Sequence, residues 1–204
     1  MSRFRLLPVS GNAKIRVGIL GGTFNPAHEG HRYISLEAIK RLNLDYVVWL
    51  VSPQNPLKSE DVKGSLNTRV EIAENTKHSN KIIVSDIEKY FKNNFTANSI
   101  NRIKKMHGNV EFVWLMGADN MMHIHKWYQW KQIFRRSYVV VFDRFSFGIK
   151  VNKSKAANIF PSHKMLNYGN VTNFKNKNWC FFKIRQNPIS STQIRSRLKY
   201  EKSK

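Results

Sequence analysis

The chain has one cysteine in 204 residues, Cys180, so neither an internal disulfide nor a cysteine-built metal site can form. Cys180 sits in the apolar run WCFFKI, where a buried and inert thiol is expected. No apolar run approaches the roughly 20 residues of a membrane helix, and the start, MSRFRLLPVSGNAK, lacks an h-region of secretory length. A cytoplasmic protein with no membrane partner is the expectation. Acidic residues are also scarce: 13 Asp and Glu stand against 35 Lys and Arg, a formal charge of +22. That balance attracts polyanions, whether nucleic acid or a phosphate-rich small substrate. Two common phosphate-binding signatures are missing, since there is neither a GxGxxG nor a Walker loop ending in Lys-Ser or Lys-Thr.

What is present is an alternation. Residues 1–14 show no hydrophobic period and read as a basic, loosely held tail, with one domain over 15–204. Short β-type runs occur at Arg16–Leu20, Tyr46–Val51, Lys81–Val84, Val110–Met116, Tyr138–Phe142 and Cys180–Ile184. Helical spacing fills the intervals: His28 to Leu42, a stretch capped by Ser65 and running to about His78, one from Thr96 to Met106, and turns over Ala118 to Phe134. A polar stretch from Gly148 to Lys177 reads as loops with short helical turns, and a last helix starts near Ser191. Strand–helix alternation predicts an α/β fold, a Rossmann-like, doubly wound parallel sheet with helices on both faces. Ligands bind at the carboxyl ends of such strands, so the loops after Leu20, Val51, Met116 and Phe142 should meet.

The loop after the first strand is GGTFNPAHEGH, Gly21 to His31. It opens a helix, which puts backbone N–H groups and a helix N-terminus where anions bind. Its glycines permit close approach of a ligand to the main chain. His28 and His31 lie one turn apart there, and four readings stand side by side: zinc ligands, a proton carrier, a structural pair, and a clamp for phosphate oxygens. Zinc needs a third ligand nearby, and the other close pair, His123 and His125, is splayed by its two-residue spacing.

GGTFNPAHEGH resembles the signature of the nucleotidyltransferase superfamily, and its HxGH form behind GGTF resembles the nicotinate-nucleotide adenylyltransferase family. The distant segment Ile189–Arg195, ISSTQIR, is similar to that family's ISSTxIR. Three stretches between them agree in order: SPQNPLK ending at Lys58, FTANSI containing Thr96, and MGAD containing Gly117 and Asp119, with Trp127 downstream. The resemblance spans residues 15 to about 198. Three positions depart from the family pattern: Asn25 replaces the usual aspartate, Phe95 replaces tyrosine, and no Pro-Gly follows Arg144.

The resemblance implies the nucleotidyltransferase fold and transfer of AMP from ATP to nicotinate mononucleotide, with release of pyrophosphate. It implies His28, His31, Thr23, Lys58 and Arg195 as the residues acting on phosphate. Gly21, Gly22, Phe24, Gly117, Asp119, Ile189, Ser190, Ser191 and Thr192 would bind ATP. Asn25, Thr96, Trp127, Tyr128 and Arg144 would bind the mononucleotide, Trp127 by stacking on the pyridine ring and Tyr128 through its backbone N–H. Mg²⁺ would come with ATP, held mainly by the phosphates and not by a protein metal site. Within the superfamily the rivals are enzymes with another acceptor, such as nicotinamide mononucleotide, phosphopantetheine or flavin mononucleotide. The phosphopantetheine enzymes generally carry TxGH, and flavin enzymes usually carry a fused kinase region for which this chain has no room. A basic nucleic-acid-binding protein would use the same charge. No RNP-like aromatic pair, zinc knuckle or helix-turn-helix signal accompanies it, so no specific nucleic-acid partner is expected.

Overall fold

The computed structural model describes residues 7, 15–53, 64–143, 148–162, 178–184 and 194–196. Six strands form one parallel sheet: β1 (Ile15–Gly22), β2 (Tyr46–Val51), β3 (Ile82–Ser85), β4 (Val110–Gly117), β5 (Tyr138–Phe142) and β6 (Trp179–Phe182), in the order β3-β2-β1-β4-β5-β6. Between them run α1 (Glu29–Leu42), α2 (Leu66–Lys77), α3 (Thr96–Met106), α4 (Ala118–His123), α5 (Trp130–Arg136) and α6 (Lys155–Ile159). The doubly wound parallel sheet expected from the alternation is the observed one.

The strands read as continuous apolar runs because both of their faces are covered. In β2, Val48 and Leu50 enter one core layer while Val47, Trp49 and Val51 enter the other; in β4, Phe112, Trp114 and Met116 oppose Val113 and Leu115. The first layer is closed by Ala97, Ile100 and Ile103 of α3, Met121 of α4, Ile133 and Phe134 of α5 and Ala156 of α6. The second is closed by Ile34, Ala38 and Leu42 of α1 and Ala73 of α2. Leu7, from the segment read as a loosely held tail, is buried in the first layer.

From β1 the chain winds outward through β2 and β3 with helices on one face, then crosses back and winds outward through β5 and β6 on the other. The two halves part between β1 and β4, whose neighbouring loops leave toward opposite faces. A crevice outside the carboxyl ends of these strands follows from that topology.

Most element limits fall where the hydrophobic pattern puts them. β6 begins and ends earlier than the Cys180–Ile184 reading, at Trp179 and Phe182. The stretch from Ala118 to Phe134 is divided into α4, a 3₁₀ turn over Ile124–Lys126, and α5, because Gln129 takes a left-handed φ of 47° that no helix continues through. Residue Thr96 is the first of α3; its cap position is Phe95, so the Thr96 hydroxyl is not spent as an N-cap. Of the expected final helix, residues 194–196 are helical and the remainder lies outside the described residues. No helix among the described residues is long and apolar enough to cross a membrane.

Candidate active site

Loop 23–28 leaves β1 in a conformation its side chains hold in place. Phe24 has a left-handed φ of 46°, unusual for a bulky residue, and the Asn25–Pro26 peptide bond is cis. The Phe24 ring is buried, stacked on Trp49 at 5.3 Å and tilted against His31 at 4.7 Å. Phe24 therefore supports the loop from below, and what the loop presents outward at this position is backbone. Trp49 Nε1 donates to Ser35 Oγ at 2.7 Å, and that hydroxyl donates to the His31 carbonyl at 2.8 Å. The start of α1 is thus anchored to β2 through buried side chains.

The histidine pair caps the helix reciprocally. His28 is the N-cap residue, and its Nδ1 accepts from Gly30 N at 3.1 Å; His31, three residues on, uses its Nδ1 to accept from His28 N at 3.2 Å. This is the capping-box arrangement, with imidazoles in the places usually taken by Ser or Thr and by Glu or Gln. The hydrogen-bond network assigns the tautomers, because a nitrogen that accepts cannot carry the proton in a neutral ring. Both rings consequently hold their proton on Nε2. The two rings lie 3.9 Å apart, centroid to centroid, and His28 is buried. The site therefore carries two adjacent ring donors fixed at a helix N-terminus, a geometry suited to phosphate oxygens.

Beside the loop lies an open cleft of about 570 Å³, lined by Gly21, Gly22, Thr23, Ser52, Glu88, Asn94, Phe95, Thr96, Trp114, Trp127 and Tyr128. Five of these, Gly21, Gly22, Thr23, Thr96 and Trp127, come from three separate sequence signatures, and Tyr128 joins them. Trp127 and its helical neighbours part ways: Trp127 lines the cleft, while Trp130 and Phe134 turn edge-to-face and stacked contacts onto Phe160 in the core. Tyr128 is half exposed and stacks on Phe95 at 4.6 Å, forming an aromatic rim. At Gly21 the close approach is made by a side chain of the protein itself: a Cβ there would sit 2.4 Å from Cη2 of Trp114.

Sequence reasoning missed Ser52, Glu88, Asn94 and Trp114. Asn94 Nδ2 donates to Ser52 Oγ at 2.8 Å, and Glu88 accepts from the Ser99 hydroxyl and is further hydrogen-bonded to Ser52. Burial pushes the Glu88 carboxyl above its ordinary range, against the lowering effect of the two hydroxyls. A buried glutamate in the segment IEKY carries no signal by which its burial could be read, since it stands between residues that suit a surface turn. Cys180 is buried as expected, and burial pushes its thiol up to about 12.

Arg195 reaches across the molecule, its Nη1 donating to the Asn25 carbonyl at 2.8 Å. The far end of the chain is thus tied to the loop that carries the histidines. Gly117 ends β4 and Asp119 lies in the first turn of α4, both at the carboxyl end of that strand and outside the cleft lining. Lys58, Arg144, Ile189, Ser190, Ser191 and Thr192 lie outside the described residues. Among the described residues, no group of three His, Cys, Asp or Glu side chains is arranged to hold a metal ion.

The chain matches the cytidylyltransferase-like family over residues 19–197. A Ruegeria sp. (strain TM1040) protein named "Probable nicotinate-nucleotide adenylyltransferase" is 38% identical over 183 residues, 89% of this chain and 96% of the relative. A Cereibacter sphaeroides protein of the same name is 39% identical over 180 residues, 88% of this chain and 96% of the relative. Among solved structures, Plasmodium falciparum nicotinic acid mononucleotide adenylyltransferase complexed with NaAD superposes with a TM-score of 0.64 at 18% identity, covering 89% of this chain and 83% of that one. That likeness is one of fold.

Proposed function

The chain belongs to the cytidylyltransferase-like family and, within it, to the nicotinate-nucleotide adenylyltransferases, and on that premise we propose that its cleft joins ATP to nicotinate mononucleotide. The observation that carries this reading is the reciprocal cap of His28 and His31, which holds both rings by Nδ1 at the end of the loop whose Gly21, Gly22 and Thr23 line a cleft with an aromatic wall. The products are deamido-NAD and pyrophosphate.

In the reaction an oxygen of the mononucleotide phosphate attacks the α-phosphorus of ATP in line. The bond to the bridging oxygen breaks, and that oxygen leaves with pyrophosphate. No enzyme nucleophile is needed, and acceleration rests on positioning and on stabilising the charge that builds on the phosphates. His28 and His31 donate from Nε2 to those oxygens, and Thr23 orients one of them. Lys58 and Arg195 serve the polyphosphate, Arg195 also holding the loop through Asn25. ATP would enter with Mg²⁺, held by the phosphates and not by protein side chains, and the ion would offset the phosphate charge.

On the acceptor side, Trp127 offers a flat face to the pyridine ring, with Thr96 and the Tyr128 backbone at its carboxylate end and Arg144 toward its phosphate. Asn25 keeps a hydrogen-bonding side chain where the family usually has an aspartate. Gly117 and Asp119 flank the ribose of ATP, Gly21, Gly22 and the Phe24 backbone approach its phosphates, and Ile189 to Thr192 complete the nucleotide site. Residues 15–204 act as one catalytic domain, a reading supported by the bond between Arg195 and the first loop. ATP as donor supports the reading of a cytoplasmic enzyme.

The test is a coupled pyrophosphate assay with ATP and a panel of mononucleotides, with the dinucleotide identified by mass. Turnover with nicotinate mononucleotide is expected, with kcat/KM well above that for nicotinamide mononucleotide. A clear preference for the amide would overturn the acceptor assignment, and no turnover with any mononucleotide would overturn the reaction.

A further inference from the structure

Helix α2 is polar, and its only deeply buried residues are Arg69 and Ala73, one turn apart on one face. Arg69 is 2% exposed. Its Nη1 donates to the carbonyls of Thr23 at 2.6 Å and Ser52 at 2.7 Å, and its Nη2 donates to the carbonyl of Pro53 at 2.7 Å. These three carbonyls lie just beyond the carboxyl ends of β1 and β2, where the sheet ladder no longer satisfies the backbone. One fork thus joins two loops that are 29 residues apart in sequence, from Thr23 to Ser52.

The charge is the unusual part. Among the described residues no carboxylate pairs with Arg69, and burial acts to lower its guanidinium below its ordinary range. A buried cation is costly unless it is well hydrogen-bonded, and an arginine does not escape the cost by losing its proton. A neutral side chain would join the same carbonyls at less expense if stability alone were served. The position of the cation, directly behind the loop that carries His28 and His31, suits an anion arriving in front of it.

We propose that Arg69 is a positioning residue for phosphate transfer, its guanidinium stapling the β1 and β2 loops into one surface. The staple extends to the acceptor side through Ser52. That residue donates its N–H to the Gly22 carbonyl at 2.9 Å and accepts from Asn94 at its hydroxyl, both within the cleft lining. Arg69 therefore fixes the donor loop and one wall of the acceptor cleft relative to each other. Loss of the staple misaligns two bound substrates more than it weakens the binding of either. Lysine replaces it poorly, since its single nitrogen on a flexible stem cannot reproduce two nitrogens held in one plane, Nη1 on Thr23 and Ser52 and Nη2 on Pro53.

The kinetic part of the proposal rests on the adenylyl-transfer reading; a second readout does not. With ATP and nicotinate mononucleotide, Arg69→Ala is expected to lose about 10²-fold in kcat, the cost of a small misplacement remote from the chemistry, with both KM values moving far less. Millimolar guanidinium should restore turnover in Arg69→Ala and not in Arg69→Lys, where the space is filled. Without any substrate, amide hydrogen exchange over residues 22–25 and at Ser52 should quicken in both variants while the sheet stays protected, and slow again with guanidinium in Arg69→Ala. Should Arg69→Ala fail to fold, Arg69→Lys decides alone: a folded protein with faster loop exchange and reduced kcat supports the staple. Native loop exchange, native kcat, or lost activity that guanidinium leaves unrestored in a folded Arg69→Ala overturns it. If the native protein makes no dinucleotide, the reaction reading fails, and the exchange measurement still tests the staple.

Discussion

His31 holds two jobs that can be separated. Its Nδ1 caps α1 by accepting from His28 N, and in the proposed reaction its Nε2–H donates to phosphate. Glutamine is a natural N3 residue of a capping box and can reach back to the same N–H. Replacing His31 by Gln is therefore expected to leave stability within a few tenths of a kcal/mol while kcat falls about 10²–10³-fold, the usual loss for one charge-stabilising donor. In His31→Ala the same loss of turnover should come with about 1 kcal/mol of lost stability. Urea melts beside steady-state kinetics read both effects, and near-normal turnover in either variant would remove His31 from the chemistry. Glu88 offers a second residue-scale test through pH. The unfolded carboxyl titrates near its ordinary 4.5, whereas burial raises the folded one, so the folded protein holds an extra proton between the two values. Its contribution to stability is accordingly greatest at acid pH and falls as pH rises through that interval. Glu88→Gln keeps an acceptor for Ser99 without the charge. Its stability relative to the native protein should improve from acid to neutral pH, and a difference that stays flat with pH would contradict the assignment.

At the scale of elements, the strands were legible because a strand covered on both faces is a bare apolar run, as in YVVWLV or YVVVF, and nothing polar blurs its ends. The loops of the site were legible for another reason: HEGH and the glycines before it are rare combinations whose chemistry survives without a structure. Packing between strands was not legible. GGT reads as a loop made for a close ligand, yet Gly21 is the last but one residue of β1 and gives way to the ring of Trp114 on β4. Nor was Arg69 legible, because one arginine in a helix as polar as LNTRVEIAENTK looks like any solvated base. Both facts depend on which strand or loop comes to lie alongside, and local pattern does not carry that. The Gly21 contact makes a prediction about the β1–β4 pair. Gly21→Ala would place a Cβ against a rigid, buried ring, and overpacking of this kind costs about 1–3 kcal/mol. Because Trp114 also lines the cleft, the variant should raise KM for the mononucleotide more than for ATP. Urea melts and the two KM values check it, and native stability would mean that the ring yields freely.

Across the whole molecule the charge of +22 acts both at long range and through short contacts. Several acidic side chains are already matched by a neighbour: Glu29 by Arg32, Glu37 by Arg41, Glu74 by Lys77, Asp86 by Lys89 and Glu111 by Arg16. Surface pairs of this kind, of which Glu37–Arg41 and Glu111–Arg16 are half-buried, add little to stability, but they leave the remaining lysines and arginines to set the long-range field. Such a field draws anions toward the protein without choosing among them, and salt screens it within about 10 Å at 0.1 M. In the proposed reaction the phosphates, in contrast, meet fixed donors at short range in a partly buried site, where screening is weak. The two contributions should therefore separate on a salt titration. Raising KCl from about 50 to 200 mM is expected to increase KM for ATP severalfold while kcat changes little, since the field governs encounter and the fixed donors govern the chemical step. Binding of random-sequence DNA or RNA should fall far more steeply over the same range, equally for every sequence, as counterion release requires. A KM for ATP that stayed level would show that the surface charge plays no part in substrate capture. A nucleic acid that held on at the higher salt with sequence preference would assign that charge to a specific partner instead.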